Sequence, residues 1–303
     1  MSDTNRVRSG LIYGLIAYLC WGLVPLYFAQ LIGVDALEIL SHRIVWSLPL
    51  MIAVLAFSRG GLKRFAATMA NRRLVLWLLA SSLFLSMNWL FYIYATLTER
   101  VAEASLGYYM LPLVNAGLAR VFLGERLRPL HYPALAIIAI GVLIPFAAKR
   151  EFLWIPIALP VTFGIYGLIR KKLPVESAVG LATETALLSV PCLGYLIYRA
   201  TTGIGLFAID PRASFWFVFG GVVTVVPLMT FTLSIRRLPL LAQTFIQFVS
   251  PTVQVIVAVL ILDQTVTWDR WIALGCVLLA VAIFIADAVA RTVAKPAPAT
   301  TPA

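Results

Sequence analysis

Charged side chains are scarce in this sequence, in which Asp, Glu, Lys and Arg together make up only 12% of 303 residues. Soluble globular domains carry about 25% charged and about 45–50% apolar residues, whereas this chain is 61% hydrophobic with a mean hydropathy of +0.94. Such a composition excludes an ordinary soluble domain. It indicates a protein that lies in a lipid bilayer.

Cysteine and histidine are also rare, with three and two residues. Cys20, Cys192 and Cys276 all lie in apolar stretches, and the sequence has neither a CxxC pair nor a Cys/His cluster with the spacing of metal ligands. The HExxH and GxSxG motifs of hydrolases are missing too. We therefore predict no disulfide framework, no metal and no cofactor, and an enzyme is the least favoured class.

Long apolar stretches dominate the chain instead. About 20 mainly apolar residues are needed to cross ~30 Å of hydrocarbon, and the stretches of this kind predict an all-α membrane protein with ten transmembrane helices. The approximate spans are Gly10–Ile32, Ala36–Phe57, Leu74–Leu97, Ser105–Leu123, Tyr132–Ala148, Phe152–Ile169, Leu181–Tyr198, Phe215–Ile235, Leu240–Leu262 and Trp271–Ala290.

Both termini are short and polar. Residues 1–9 precede an apolar run that is too long for a removable signal peptide and lacks a small-residue cleavage site, so we expect the first span to be retained. Residues 291–303 end in a tract that alternates Pro with Ala and Thr, which is typical of a disordered tail.

The two halves of the chain repeat one pattern. Ser47-Leu48-Pro49-Leu50 has a counterpart in Ser189-Val190-Pro191-Cys192, and Pro112, which follows Leu106, corresponds to Pro251, which follows Phe245. We therefore divide the membrane region into two five-helix repeats, residues 10–150 and 151–290.

Basic residues change sides between the repeats. The loop Ser58–Arg73 holds five Lys/Arg whereas its counterpart Ala200–Ser214 holds one, and Gly33–Asp35 holds none against three in Arg170–Lys172. Cytoplasmic loops carry the excess of Lys and Arg, so the second repeat is predicted to be inverted and both termini cytoplasmic. The net charge of +11 then reflects topology, and we expect no nucleic-acid partner.

Inverted repeats of this kind are typical of secondary transporters, which alternate access around a site at the membrane midplane. The sequence thus predicts a multi-pass protein of the bacterial inner membrane that moves a small organic metabolite or drug, with proton coupling as a further hypothesis. The alternatives are a channel or a membrane-embedded assembly partner. The expected partners are the lipid bilayer and a small organic substrate, and a homodimer is a further hypothesis.

Three stretches resemble a known family. Gly124-Glu125-Arg126-Leu127, followed by Gly141, looks like the signature of the EamA-type carriers of the drug/metabolite transporter superfamily, and Asp263-Gln264 with Gly275 is a degenerate second copy. The stretches Ala17–Tyr27 and Glu38–Ser47 more narrowly resemble the RarD branch, named for chloramphenicol sensitivity. The resemblance implies ten helices in two five-helix repeats and a transport function.

Ionisable residues within spans are expensive, at about 2.5–3.5 kcal/mol at a helix centre, and normally face a cavity or a partner. Glu38, His42 and Arg43 lie close together in the second predicted helix, and Glu184 corresponds to His42 in the repeat. We expect Arg43 to contact an anion and Glu38, His42 or Glu184 to carry a coupling proton. The alternative is a Glu38/Arg43 ion pair that locks the helix to its neighbours.

Aromatic and amide side chains recur in the third, fourth and ninth predicted helices. Such groups suit an amphipathic organic substrate, although tyrosines also anchor helices at the interface and amides also bond neighbouring helices. The substrate-pathway candidates are His42, Arg43, Asn88, Tyr92, Tyr109, Asn115, Gln247 and Gln254.

Matched prolines lie inside predicted helices, where each removes a backbone hydrogen bond and favours a kink. Pro49 pairs with Pro191 and Pro112 with Pro251 across the repeats. Interrupted helices at matching positions point to a site or a hinge, so these four are hinge candidates. Simple bending of packed helices is the alternative.

Overall fold

The structure is a computed structural model, and its regular secondary structure is helical throughout the residues that it describes. These residues are 3–98, 101–125, 129–149, 154–239, 242–243, 246–261, 268, 271–272, 275–276, 278–280 and 282–283.

The helices follow the predicted spans closely. Their bounds are α1 Asp3–Phe28, α2 Ala36–Phe57, α3 Gly61–Ala70, α4 Arg72–Leu97, α5 Val101–Phe122, α6 His131–Lys149, α7 Ile155–Lys172, α8 Ser177–Thr201, α9 Pro211–Ile235 and α10 Val249–Leu260, and a 3-10 turn, Ala29–Leu31, follows α1. The described positions between 271 and 283 are helical as well. The predicted second span has the same bounds as α2.

Five of the described helices are long and apolar enough to cross a membrane. They are α1 with the turn after it, α2, α4, α8 and α9. The other predicted spans, the inverted orientation of the second repeat and the repeat boundaries stay predictions.

The helices of the two predicted repeats interleave. Helix α1 packs on α9 and α10, α2 packs on α8 and α9, and α4 and α5 both pack on α7. Large buried side chains such as Leu31, Met51, Tyr166 and Phe217 fill the contacts. Because each of these first-half helices has neighbours from the second half, polar side chains from both halves meet in the interior.

One predicted loop contains a helix. The segment Ser58–Arg73, expected to be a loop, contains the short helix α3, which begins after Gly60 in the left-handed conformation at φ 67°. Phe65 packs against the core, and Arg64 Nε lies 2.8 Å from a carboxylate oxygen of Glu176. The sequence did not predict this helix because the segment is short and basic, which is typical of a loop. An isolated helix of this size is unstable, so α3 depends on these tertiary contacts.

Close packing of α2 on α9 depends on a glycine. A Cβ atom at Gly221 would lie 2.6 Å from the backbone oxygen of Trp46 and 2.8 Å from its carbonyl carbon, whereas a Cβ at the exposed Gly194 of α8 would meet nothing within 4 Å. A backbone clash of this kind can be relieved only if the two helices move apart.

We expect Gly221→Ala to lower the free energy of unfolding by about 1–3 kcal/mol, as overpacking does. Gly194→Ala is the matched control, because it makes the same change in a helix with open space and should leave stability unchanged or raise it by up to about 1 kcal/mol. Unfolding of both purified variants in mixed micelles measures the difference. Equal stability of the two would contradict the tight α2–α9 contact.

Candidate functional site

A cavity of about 50 Å³ lies in the interior between helices of both halves. Its wall is largely aromatic, with one arginine and three amide side chains among the polar groups. The lining residues are Tyr18, Trp21, Val24, Phe28, Arg43, Asn88, Trp89, Tyr92, Tyr108, Leu111, Phe163, Gln247, Ser250, Pro251 and Gln254. We call this space the central cavity; it has room for a few water molecules.

Among the described residues, Arg43 is the one charged residue in this lining. Asp35 caps the start of α2 by accepting hydrogen bonds from the backbone N–H groups of Leu37 and Glu38, and Arg43 follows about two turns into the helix. The side chain is buried, and its Nε donates to Thr224 Oγ1 at 3.1 Å. Its position therefore depends on α9 as well as α2.

Aromatic rings, rather than a carboxylate, surround the guanidinium. Its carbon lies 4.7 Å from the ring centre of Trp89 and 5.6 Å from that of Phe28, and such cation–π contacts stabilise a buried cation. No carboxylate of the described residues lies within ion-pair distance of Arg43. The central cavity thus contains a positive charge whose counterion is not supplied by these residues.

Amide side chains form the second polar feature of the wall. Asn88 Nδ2 donates to the backbone oxygen of Leu159 at 2.7 Å and to Thr162 Oγ1 at 3.1 Å, which ties α4 to α7. Asn115 Nδ2 lies 3.4 Å from Gln247 Oε1, while Gln247 Nε2 is buried without a hydrogen-bond partner among the described residues. The amide N–H of Gln247 is therefore an available donor at the cavity wall, and the contact of its amide oxygen with Asn115 fixes the side chain.

The remaining amide and the tyrosines complete the wall. Gln254 Nε2 donates to the backbone oxygen of Trp21 at 3.2 Å and approaches Ser250 Oγ at 3.3 Å. The rings of Tyr92 and Tyr108 lie 5.7 Å apart. Tyr109 is buried but is not part of the lining, because successive residues of a helix point about 100° apart.

The same geometry separates His42 from Arg43. The imidazole of His42 stacks on Phe217, with ring centres 4.1 Å apart and an interplanar angle of 15°, and it lies 5.0 Å from the Phe207 ring. The central cavity, where we expected His42 beside Arg43, does not include it. His42 faces α9 and the loop before it instead.

Glu38 has a partner other than the expected one. One carboxylate oxygen accepts from Arg199 Nη2 at 2.7 Å, and the other accepts from the backbone N–H of Leu206 at 2.9 Å. The alternative interpretation anticipated a Glu38/Arg43 lock, but the lock that the structure contains joins α2 to the end of α8 and the loop after it. Glu184 also lies outside the central cavity and contacts Ser81 and Arg170.

Comparison with known proteins shows which family the chain is similar to. The family model for EamA-like transporters matches residues 8–146. An uncharacterized transporter of Vibrio cholerae is 37% identical over 94% of both chains. Two proteins named RarD also match, one from Streptomyces exfoliatus with 38% identity over 95% of this chain and 91% of that protein, and one from Escherichia coli with 33% identity over 95% and 97%.

The chain belongs to the EamA-like transporter family.

A solved crystal structure shares the fold of this EamA-family chain, with a TM-score of 0.66 and 19% identity over 95% of this chain and 99% of that one. Together with the apolar helices, membership shows a multi-pass membrane protein, and the names of its relatives place it among the membrane transporters of the drug/metabolite superfamily. The resemblance found in the sequence is confirmed.

Three of the four hinge-candidate prolines of the EamA-family chain lie inside helices, and the fourth lies near a helix start. Pro49, Pro112 and Pro191 lie inside α2, α5 and α8 as predicted. Pro251 does not lie in mid-helix, because the helical conformation at Ile246 gives way to a turn at Gln247–Phe248 and α10 begins at Val249. A proline in the first turn of a helix lacks an N–H that would have no intrahelical partner anyway. The interruption next to the cavity therefore precedes Pro251.

Several site residues of the EamA-family chain were not among the sequence candidates. Trp89 and Phe28 flank the guanidinium, Thr224 holds it, and Arg170, assigned to a cytoplasmic loop, is buried in α7. Apolar and hydroxyl residues carry no signal of their own in a hydrophobic sequence. Arg170 is charged and therefore noticeable, and its position at the end of an apolar run was the one sign in the sequence that it is buried.

Proposed function

We propose that this EamA-family protein is a secondary active transporter of the bacterial inner membrane that carries a small organic anion with an aromatic or apolar body. The central cavity is the binding site; it is too small in this conformation for such a molecule and widens as two inverted five-helix repeats alternate its access between the two sides. Both termini are cytoplasmic. The observation that carries the proposal is the buried guanidinium of Arg43, which faces an aromatic cavity without a carboxylate partner among the described residues.

The charge of Arg43 determines the substrate class. An arginine is protonated at any physiological pH, and a buried charge is tolerated only when it is paired or well bonded. Only the Nε group of Arg43 has a side-chain hydrogen-bond partner among the described residues, and it is the hydroxyl of Thr224. A carboxylate or other compact anion in the central cavity would complete this set with charge-assisted hydrogen bonds.

The rest of the wall defines the body of the substrate. Tyr18, Trp21, Phe28, Trp89 and Phe163 offer aromatic faces, and Gln247 offers an amide donor without a partner. Ligand sites of this type combine a mostly apolar wall with a few oriented polar groups. An aromatic monocarboxylate fits this chemistry better than a sugar, which needs many hydrogen bonds, or a cation, which Arg43 would repel.

The interruption at Gln247–Phe248 supports an alternating mechanism. Transporter sites are commonly built where a membrane helix is discontinuous, and here the turn lies beside the central cavity and supplies one of its lining residues. Helix α10, which follows the turn, packs on α1, and Gly22 makes room for this contact because a Cβ there would lie 2.6 Å from Val253 Cβ. Movement of this segment would change access to the cavity.

The test uses three benzene derivatives that differ chiefly in charge: benzoate, benzyl alcohol and benzylammonium. Purified protein in lipid nanodiscs is titrated with each, and tryptophan fluorescence reports binding because Trp21 and Trp89 line the cavity. We expect saturable binding of benzoate, weaker binding of the alcohol and none of the cation. Equal or tighter binding of benzylammonium, or no saturable benzoate signal, would contradict an anion site.

Transport is measured separately with radiolabelled benzoate in proteoliposomes. A carrier gives saturable counterflow, in which unlabelled benzoate inside the vesicles drives transient accumulation of the label. Flux without saturation or counterflow would instead favour a channel. Binding without any flux would favour a membrane-embedded assembly partner.

A further inference from the structure

A second polar cluster lies between α4, α7 and α8, outside the central cavity. Its centre is Glu184, whose side chain is 2% exposed, and Arg170, whose side chain is 1% exposed. Ser81 Oγ donates to Glu184 Oε1 at 2.6 Å, and Arg170 Nε lies 3.7 Å from the same oxygen. The arginine is thus close enough for an ion pair but too distant for a hydrogen bond.

The pair is incompletely bonded. Arg170 Nη2 donates to the backbone oxygen of Ser177, but Arg170 Nε and Nη1 and Glu184 Oε2 have no hydrogen-bond partner among the described residues. The Tyr166 hydroxyl lies close to both charges. A buried ion pair offsets its desolvation cost only when its geometry is good and its remaining atoms are bonded.

Glu38 shows what a structural pair looks like in the same protein. Both of its carboxylate oxygens are bonded, one to Arg199 and one to the backbone N–H of Leu206. Glu184 keeps one oxygen free although its side chain is about as buried. The free Oε2 is therefore an available site for a proton, whereas both oxygens of Glu38 already accept a hydrogen bond.

The cluster is connected to the central cavity. Glu184 borders a small cavity of about 20 Å³, which exceeds the ~10–15 Å³ that one water molecule needs. Trp89 lines both this small cavity and the central one, and Thr224, which also lines the small cavity, accepts the hydrogen bond from Arg43. Trp89 and Thr224 thus link the surroundings of Glu184 to those of Arg43.

From these contacts we infer that Glu184 is the proton-carrying group of the transport cycle and that Arg170 is its positioning residue. The inference rests on the proposed transport function and adds the coupling ion and its site. A proton delivered by hydronium forms an O–H bond at Glu184 Oε2 and leaves water behind, while Arg170 stays protonated. The net charge of the pair then rises from zero to +1, which favours an anion beside Arg43. Proton and anion bind together and are released together.

Few competing groups of the described part of the chain surround Glu184. The charged and titratable side chains among them that face it are Arg170 and Tyr166 of α7. Helix α4 contributes the Ser81 hydroxyl, and α2 and α9 contribute the hydroxyls of Ser47 and Thr224 around the small cavity. His42 is stacked on Phe217 away from both cavities, so we do not assign the proton to it.

Infrared difference spectroscopy on purified protein in nanodiscs tests the proton site without any substrate. As the pH is stepped, we expect the C=O band of a protonated carboxyl group in the wild type and in the control Glu38→Gln, and no such band in Glu184→Gln. Arg170→Gln removes the neighbouring positive charge and should move the midpoint of the band upward by about 1–3 pH units. A wild-type band that persists in Glu184→Gln, or no titrating band, would overturn the assignment.

Benzoate titrations at high and low pH test the coupling. We expect the wild type to bind benzoate about 5- to 100-fold more tightly at the lower pH, a normal range for linked sites, and Glu184→Gln to bind tightly at both. Equal pH dependence in the two proteins would overturn coupling even if Glu184 titrates. Absence of benzoate binding would instead contradict the anion site of the proposed function and leave the infrared result standing.

If Glu184→Gln does not fold, the milder variant Ser81→Ala tests the same assignment. Ser81→Ala leaves the carboxyl group in place and removes the hydrogen bond to Oε1, so it should shift both the frequency and the midpoint of the Glu184 band. An unchanged band in Ser81→Ala would show that the titrating carboxyl is not Glu184.

Discussion

Arg43→Gln is expected to weaken benzoate binding by at least about 30-fold. Truncating one member of a buried, hydrogen-bonded charge pair typically costs about 2–5 kcal/mol, and 1.4 kcal/mol corresponds to a factor of ten. The guanidinium is the only charge that the described residues contribute to the lining of the central cavity, so none of them replaces it. Tryptophan fluorescence in nanodiscs measures the loss.

Two further substitutions separate charge from packing. Arg43→Lys retains the positive charge but loses the planar fork, the bond geometry to Thr224 and part of the stacking on Trp89, so we expect an intermediate affinity. Arg199→Gln changes a partly buried arginine outside the central cavity and should leave benzoate affinity within about twofold provided that the protein folds. Unchanged affinity in Arg43→Gln would remove the anion site from the central cavity.

The membrane helices were predictable because the bilayer imposes a simple rule. Each crossing segment needs a minimum apolar length and must satisfy its backbone internally, so the ends of apolar runs lie near helix ends. The bounds of α2 match the prediction at both Ala36 and Phe57, and Asp35 supplies the cap at its start. Helix α3 did not follow the rule, because a surface helix depends on tertiary contacts such as that between Arg64 and Glu176.

The site was only partly predictable, since helical position alone does not identify a partner. The sequence suggested an ion pair of Glu38 with Arg43 only as an alternative, and the basic partner of Glu38 in the structure is Arg199, 161 residues away. His42 and Arg43 are adjacent, yet one turns toward Phe217 and the other toward Trp89. A difference of about 100° around the helix determines which side chain reaches the cavity, and the packing of α2 on its neighbours fixes that angle.

The turn at Gln247–Phe248 had no local signal either. Neither residue breaks helices strongly, and the proline that attracted attention, Pro251, is compatible with the start of α10. What the turn provides is a cavity-facing Gln247 whose amide oxygen contacts Asn115 of α5. Interruptions of this type are set by how neighbouring helices accept the freed backbone groups, and the sequence of a single helix does not contain that information.

The Glu38–Arg199 pair is expected to contribute more to stability than any other ion pair among the described residues. Arg199→Met leaves the carboxylate of Glu38, 1% exposed, without its counterion, and breaking a buried pair in this way costs about 3–5 kcal/mol. The Arg199 side chain is 15% exposed, so solvent screening places the expected loss near the lower limit, at about 3 kcal/mol. Unfolding of purified protein in mixed micelles measures it.

A double-mutant cycle distinguishes the pair from its separate members. Glu38→Gln removes the buried charge but keeps an oxygen that can accept from the backbone N–H of Leu206, so Glu38→Gln/Arg199→Met should be more stable than Arg199→Met alone. Arg212→Gln, which breaks an exposed bond to Gln30 on the same predicted outer side, is the control and should change stability by less than about 0.5 kcal/mol. If the double variant were less stable than Arg199→Met, the uncompensated charge of Glu38 would not be the cause of the loss. Because the pair joins α2 to α8 and the loop that packs over His42, its loss should also ease opening of the predicted outer side in the proposed transport cycle.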